Sequence, residues 1–162
     1  MSHRLTVRPV APTDLAQWEA LWEGYNAFYD RTVPSEITRT TWARFFDDSE
    51  PVHALVAEQN GRLLGLVHYL FHRSTSLIGP ICYLEDLFTL EAVRSQGVGR
   101  ALIDAVYERA RSAGCLQVYW QTHETNVTAM ALYDQVAERS GFLVYARSFD
   151  PNRAQQTGAG TQ

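Results

Sequence analysis

Apolar and polar positions along the chain change period several times, and each change predicts an element. "LTVRPV", residues 5–10, alternates with a period of two and predicts a short first strand ending at Pro9. Pro12, Thr13 and Asp14 suit a helix start, and apolar side chains then return at Leu15, Trp18, Leu21, Trp22 and Tyr25, a helical stripe. Pro34 breaks the chain, and Ser35 restarts a helix over 35–48. "VHALVAEQNGRLLGLVHYLFH" reads as two strands around Asn60-Gly61, a strong hairpin signal. "GPICYLEDLFTL", 79–90, predicts a fourth strand, and 97–114 a helix closed by Gly114. "CLQVYWQT", 115–122, predicts a fifth strand, 126–141 a long helix stopped by Gly141, and "FLVYARSF", 142–149, a final strand. Strands alternating with helices imply one mixed α/β domain over 1–150, a single layer of sheet with helices on both faces. The polar, glycine-rich residues 151–162 read as a disordered tail.

Composition narrows the function classes. At 162 residues the chain is long enough to bury a sizeable core, and its 46% hydrophobic and 20% charged residues are ordinary for a globular protein. A net charge of −4 argues against nucleic acid as the partner, which needs a basic footprint. No apolar stretch reaches the length of a membrane span, and "MSHRLTVRPV" has no signal-peptide core, so a cytoplasmic protein with no membrane partner is expected. In that setting Cys82 and Cys115 are expected to be reduced and buried.

Candidate chemistry concentrates in "RSQGVGRA", residues 94–101, between the fourth strand and the helix after it. A helix N-terminus presents unpaired N–H groups and a partial positive charge, which suits phosphate. Gly97 and Gly99 remove side chains that would hold an anion away, and Arg94 adds a permanently charged fork. Arg100-Ala101 stands where a nucleotide-binding P-loop needs Lys-Ser/Thr, and Leu102 where a dinucleotide fingerprint needs its third glycine. A tight strand-to-helix connection would also use two glycines, so the arginine and the context carry the phosphate reading.

"LEDLFTLEAVRSQGVGRALIDAV" resembles the signature of the GNAT superfamily of acetyl-CoA-dependent N-acetyltransferases, and "VYWQTHETNVTAMALYDQVAERSGFLVYAR" resembles its later elements. The likeness covers nearly all of residues 4–149, with flanks most similar to the diamine, polyamine and small-amine branch. It implies a GNAT fold: a central, mostly antiparallel seven-stranded sheet with about four helices on both faces. It implies that acetyl-CoA lies with its pyrophosphate on the amides of Ser95, Gln96, Gly97, Val98, Gly99, Arg100 and Ala101, beside Arg94. The backbone of Leu87, Phe88 and Thr89 would pair with the pantetheine arm and aim an N–H at the thioester carbonyl. Thr89 stands where the family usually has a small apolar residue. The resemblance further implies that Asn126 contacts the cofactor, that Tyr133 protonates the departing thiolate, and that the protein is a homodimer.

Residue chemistry is compatible with these roles. Asn126 and Tyr133 are two helical turns apart and share a helix face. A thiol near pKa ~8.5 and a tyrosine near ~10 can exchange a proton. On the residues alone, Asn126 serves equally as a helix cap and Tyr133 as a packing side chain beside Ala129 and Val136. Strict alternation sets Glu85 and Asp86 on opposite faces, with Glu85 beside Leu87 and Thr89. A carboxylate near ~4.3 is too weak a base for an ammonium near ~10.4, so Glu85 is expected to hold the acceptor ammonium. An ion pair with some arginine is the structural alternative. That charge favours polyamines, diamines and lysine-like amines over α-amino acids, unless an arginine answers the acceptor's carboxylate. Tyr25, Phe28 and Tyr29 line either an acceptor pocket or the core. No metal site is expected, because Val127 stands where His123-Glu124 would need a second histidine. The function expected is therefore acetyl transfer from acetyl-CoA to a small-molecule primary amine by direct attack. The alternatives are acetylation of protein lysines or N-termini, and a non-catalytic CoA-sensing domain.

Overall fold

The structure is a computed structural model and describes residues 3–150. The tail expected over 151–162 lies outside the described residues. The chain divides after Trp120 into two compact units. The first holds β1 (Thr6–Pro9), α1 (Leu15–Phe28), α2 (Ser35–Arg44), β2 (Val52–Gln59), β3 (Arg62–His72), β4 (Ile81–Thr89), α3 (Val98–Ser112) and β5 (Val118–Tyr119). The second holds α4 (Val127–Val136).

The five strands form one sheet in the order β1-β2-β3-β4-β5. The first three pairings are antiparallel and β4–β5 is parallel. The described sheet is thus five-stranded and mixed, not the seven-stranded sheet implied by the resemblance. The final strand expected over 142–149 is in no ladder among the described residues. A short run of apolar, aromatic and β-branched residues favours an extended chain, but a strand exists only where a second backbone supplies its hydrogen bonds. The fifth strand shrinks from the expected 115–122 to two residues. The last helix ends at Val136, where Ala137 turns extended (φ −151, ψ −179), five residues before the glycine expected to stop it.

The sheet is covered on both faces. On β3, Gly65 and His68 have opposite parity and so point to opposite faces. Trp18 of α1 reaches His68, whereas Val98 and Leu102 of α3 lie against Gly65. The α1 face buries Trp18, Leu21, Trp22 and Tyr25 with Ala54, Val56 and Leu66, and Trp42 of α2 and Phe45 just after it pack on that core. The α3 face is filled by Leu102, Ile103 and Val106, all fully buried. Being covered twice explains why β2 and β3 read as nearly unbroken apolar runs. Arg8 fastens this unit near the start of α1, with a two-toothed ion pair to Asp14 (2.7 and 2.9 Å) and a third bond to Glu58 (2.6 Å).

Candidate active site

A bulge in β4 organises the site. His68 opposes Asp86 and Tyr69 opposes Leu84, which leaves Glu85 as the extra residue. Backbone hydrogen bonds confirm the break in alternation. Cys82 donates its N–H toward β5, to the Gln117 carbonyl (3.1 Å), while Leu90 donates toward β3, to the Leu64 carbonyl (2.9 Å). Both positions are even, so an unbroken strand would aim them the same way. Beyond the bulge, Leu87 and Thr89 therefore direct their N–H groups away from β3. On that side β5 pairs only with Cys82 and Tyr83. Among the described residues β4 has no partner strand there from Leu84 onward, an open edge able to accept an extended ligand. Alternation as read from the sequence, with Glu85 on the face of Leu87 and Thr89, does not survive the bulge.

The open edge runs into the glycine turn. Residues Glu91–Val93 form a single 3-10 turn, and Ser95 (φ 63) and Gly97 (φ 84) then take left-handed conformations before α3 begins at Val98. A Cβ at Gly97 would meet nothing within 4 Å, so the backbone angle, not crowding, calls for glycine. The first helical bond runs from the Ala101 N–H to the Gly97 carbonyl (3.0 Å). That removes Ala101 from the amides expected to meet an anion. The N–H groups of Val98, Gly99 and Arg100 lie in the first turn, ahead of that bond. Arg94 lies alongside, with its Nε donating to the Thr89 carbonyl (3.4 Å) and its guanidinium over the Phe28 ring at 5.5 Å. Gln96 donates to the Ala92 carbonyl (3.5 Å), and Arg100 is 4.0 Å from Asp104. An extended arm on the β4 edge with its phosphates at the α3 N-terminus fits these residues.

Carboxylates and aromatic rings border a cavity of about 200 Å³ on the α1 face, lined by Trp22, Thr41, His68, Glu85 and Asp86 among others. His68, 3% exposed, bridges two partners. Its Nε2 receives the Trp18 indole N–H (3.0 Å), and its Nδ1 is 2.9 Å from Asp86. An indole N–H can only donate, so Nε2 is the acceptor and Nδ1 carries the proton given to Asp86. Tyr25 is buried close by, and burial first, then the charge of Asp86, hold its phenol far above the usual range. Asp86 is thus a buried carboxylate oriented by a neutral imidazole N–H. Glu85 is exposed and raises the neighbouring Tyr83, which burial first and this carboxylate second push up to about 12.

In the second unit, Asn126 is the residue before α4, and its side chain makes no capping bond. Its Nδ2 instead donates to Thr122 Oγ1 (3.4 Å). Tyr133 lies in the last turns of the helix, where its carbonyl accepts from Ala137. His123 Nδ1 bonds Thr125 Oγ1 (2.7 Å).

Sequence reasoning missed the Trp18–His68–Asp86 chain. The place of His68 in an otherwise apolar run, 63–71, is the usable signal for it. Of the aromatic stripe, Tyr25 is buried against the site, Tyr29 half-buried and Phe28 exposed under Arg94. Cys82 and Cys115 are free and buried, and burial pushes the Cys82 thiol up to about 12, which unsuits it as a nucleophile. No helix among the described residues is long and apolar enough to cross a membrane.

The acetyltransferase (GNAT) family model matches residues 18–137. The D-amino-acid N-acetyltransferase HPA3 of Saccharomyces cerevisiae is 35% identical over 150 residues, 91% of this chain and 93% of that protein. The thialysine N-epsilon-acetyltransferase of Mus musculus is 31% identical over 113 residues, 62% of this chain and 66% of that one. The aminoglycoside N-acetyltransferase AAC(6')-Iy, solved in complex with CoA, shares the fold with a TM-score of 0.78 at 18% identity, over 93% of this chain and 98% of its own. With a family match over most of the chain and a 35% identical relative covering nine-tenths of it, this protein belongs to the GNAT family and is an acetyltransferase drawing its acetyl group from acetyl-CoA.

Proposed function

We propose that the chain transfers the acetyl group of acetyl-CoA to the primary amine of a small molecule, with both substrates bound together. The observation that carries this reading is the bulge at Glu85, which turns the Leu87 and Thr89 amides to the open edge of β4. The same bulge brings Glu85 and Asp86 to the rim of one cavity. Acetyl-CoA supplies an activated acetyl thioester. Val98, Gly99 and Arg100 offer its phosphates their first-turn N–H groups, with Arg94 beside them. Leu87 and Thr89 offer hydrogen bonds to the arm and its thioester oxygen, and Asn126 a further contact. Phe88 turns its backbone to β3 and its ring to the α1 core, where it supports the edge from behind.

The acceptor reaches the site as an ammonium. At pH 7 only about one primary amine in 2,500 is unprotonated, a deficit of roughly 4.6 kcal/mol. Glu85 and Asp86 attract the cation and water carries its proton away, so the rate rises with pH toward 9. Tyr133 returns a proton to the CoA sulfur. Small-amine acceptors are favoured by the names of relatives that act on D-amino acids and thialysine, and by the size of the cavity.

Tyr133→Phe keeps the ring and removes only the acid. Turnover, followed as CoA release over a panel of amines, is expected to fall by about 10–10³, with acetyl-CoA affinity by calorimetry within about twofold. A wild type that binds acetyl-CoA and acetylates no small amine refutes the acceptor class. Undiminished turnover in the variant refutes Tyr133 as the acid.

A further inference from the structure

We propose that Arg31 is the carboxylate-binding residue of the acceptor site, so that the acceptor is an amino acid held by its carboxylate at Arg31 and its ammonium at Asp86 and Glu85. The inference rests on the acetyl-transfer reading above and narrows its substrate class.

Arg31 follows α1 and is tied back to it. Its backbone N–H donates to the Asn26 carbonyl (2.9 Å), and its Nε donates to Asn26 Oδ1 (2.8 Å). Asn26 is itself 4% exposed and anchored by a bond from its Nδ2 to the Trp22 carbonyl (2.8 Å). The guanidinium is 5.5 Å from the Tyr25 ring centre and 6.0 Å from that of Trp22. One edge of the fork is therefore spent on a buried side chain and its face rests on aromatic rings. What remains is the outer edge, Nη1 and Nη2, the part of an arginine that takes a carboxylate with two parallel bonds.

One of the two rings that carry Arg31, Trp22, also belongs to the cavity wall. Trp22 lines the cavity with His68, Glu85 and Asp86. Tyr25 stacks on Trp22 with 5.5 Å between ring centroids, and its phenol feels the charge of both Asp86 and Arg31, so one aromatic ring lies between the cation and the carboxylate. No ion pair among the described residues joins Arg31 to Asp86 or to any other carboxylate. The two opposite charges are each fixed by neutral donors or acceptors and kept apart by Tyr25. That arrangement matches a zwitterion, whose own charges answer both.

Magnitude favours the same class. A cavity of about 200 Å³ has the volume of roughly six or seven waters, enough for the amine end of an amino acid. For a diamine or polyamine, Arg31 is a like charge near the binding cation and lowers affinity. The preference expected from Glu85 alone, for cationic amines over α-amino acids, is thereby reversed.

The test compares kcat/KM for one amino acid and for its amide, which keeps the amine and side chain and loses the carboxylate charge, in wild type, Arg31→Gln and Arg31→Lys. Both enantiomers are run. In the wild type we expect the acid to exceed the amide by about 30-fold or more. In Arg31→Gln that ratio falls to near 1, mainly through KM for the acid, and Arg31→Lys gives an intermediate ratio because charge remains without the fork. Acetyl-CoA affinity stays within about twofold in both variants. A wild type that prefers the amide, or an Arg31→Gln variant that loses acid and amide equally, overturns the proposal. If the wild type turns over no amine at all, acetyl transfer to small amines fails instead. Titration of the amino acid into CoA-saturated wild type and Arg31→Gln then decides Arg31 by itself: binding lost in the variant supports it, and equal binding refutes it.

Discussion

Gly65→Ala tests whether the two halves of the cofactor site are locked to each other. Gly65 opposes Thr89 across β3 and β4. A Cβ there would stand 2.8 Å from the Phe88 carbonyl oxygen, 3.1 Å from Leu102 Cδ1 and 3.2 Å from Val98 Cγ1. The first neighbour is backbone and can yield only if β4 moves at Leu87–Thr89. The other two are 0% and 4% exposed and have no space to retreat into. Overpacking of this kind costs about 1–3 kcal/mol, set against about 0.4–1 kcal/mol that alanine returns by restricting the unfolded chain. The net expectation is a loss of roughly 1–2 kcal/mol, or about 2–8 °C in Tm for a chain of this size. Relief must shift either the β4 edge or the first turn of α3, so acetyl-CoA affinity should fall about tenfold or more. Urea denaturation and calorimetric titration read the two effects separately. Unchanged or raised stability with affinity within twofold would refute the close approach as the device that holds strand edge and helix start in register.

Gly97 separates conformation from contact, because its angle is left-handed (φ 84) while its surroundings are open. Gly97→Asn, a residue that visits this region, should stay within about 1 kcal/mol of wild type where Gly97→Ala loses about 1–2, yet both should weaken acetyl-CoA binding. Unchanged affinity in a folded Gly97→Asn protein would remove the turn from the anion site. Asp14 gives a pH prediction: its two bonds from Arg8 hold its carboxyl below the usual range, so its stabilisation is complete above the unfolded pKa near 3.9 and is lost as pH falls through the folded value. Asp14→Asn should therefore be about 1.5–3 kcal/mol less stable at pH 7, with the deficit shrinking below about pH 4; a deficit independent of pH would mean that packing, not charge, is lost.

Local chemistry written in consecutive residues was legible. Asn60-Gly61 set the β2–β3 hairpin, the proline and acidic start set α1, and the glycine turn announced the α3 N-terminus. The features that failed all depend on a partner distant in sequence. Residues 142–149 carry a strand's composition, but composition cannot name the backbone that would complete the ladder. The two-residue β5 is short because pairing with β4 stops at Tyr83, a fact held in neither strand alone. The extra residue at Glu85 is the sharpest case. "CYLEDLF" carries no mark of an extra residue, and only the register against "VHYLF" shows that Tyr69 meets Leu84 while His68 meets Asp86. That one-residue slip inverts every backbone direction downstream. Without it the Leu87 and Thr89 amides would be spent on β3, and Asp86 would be turned to the α3 face, away from His68 and Tyr25. The open edge and the buried carboxylate thus have a single cause, and it is a property of two strands together. A histidine placed among apolar neighbours at 64–70 is the trace it leaves in one of them: a buried imidazole demands partners, and Trp18 and Asp86 are the partners the register supplies.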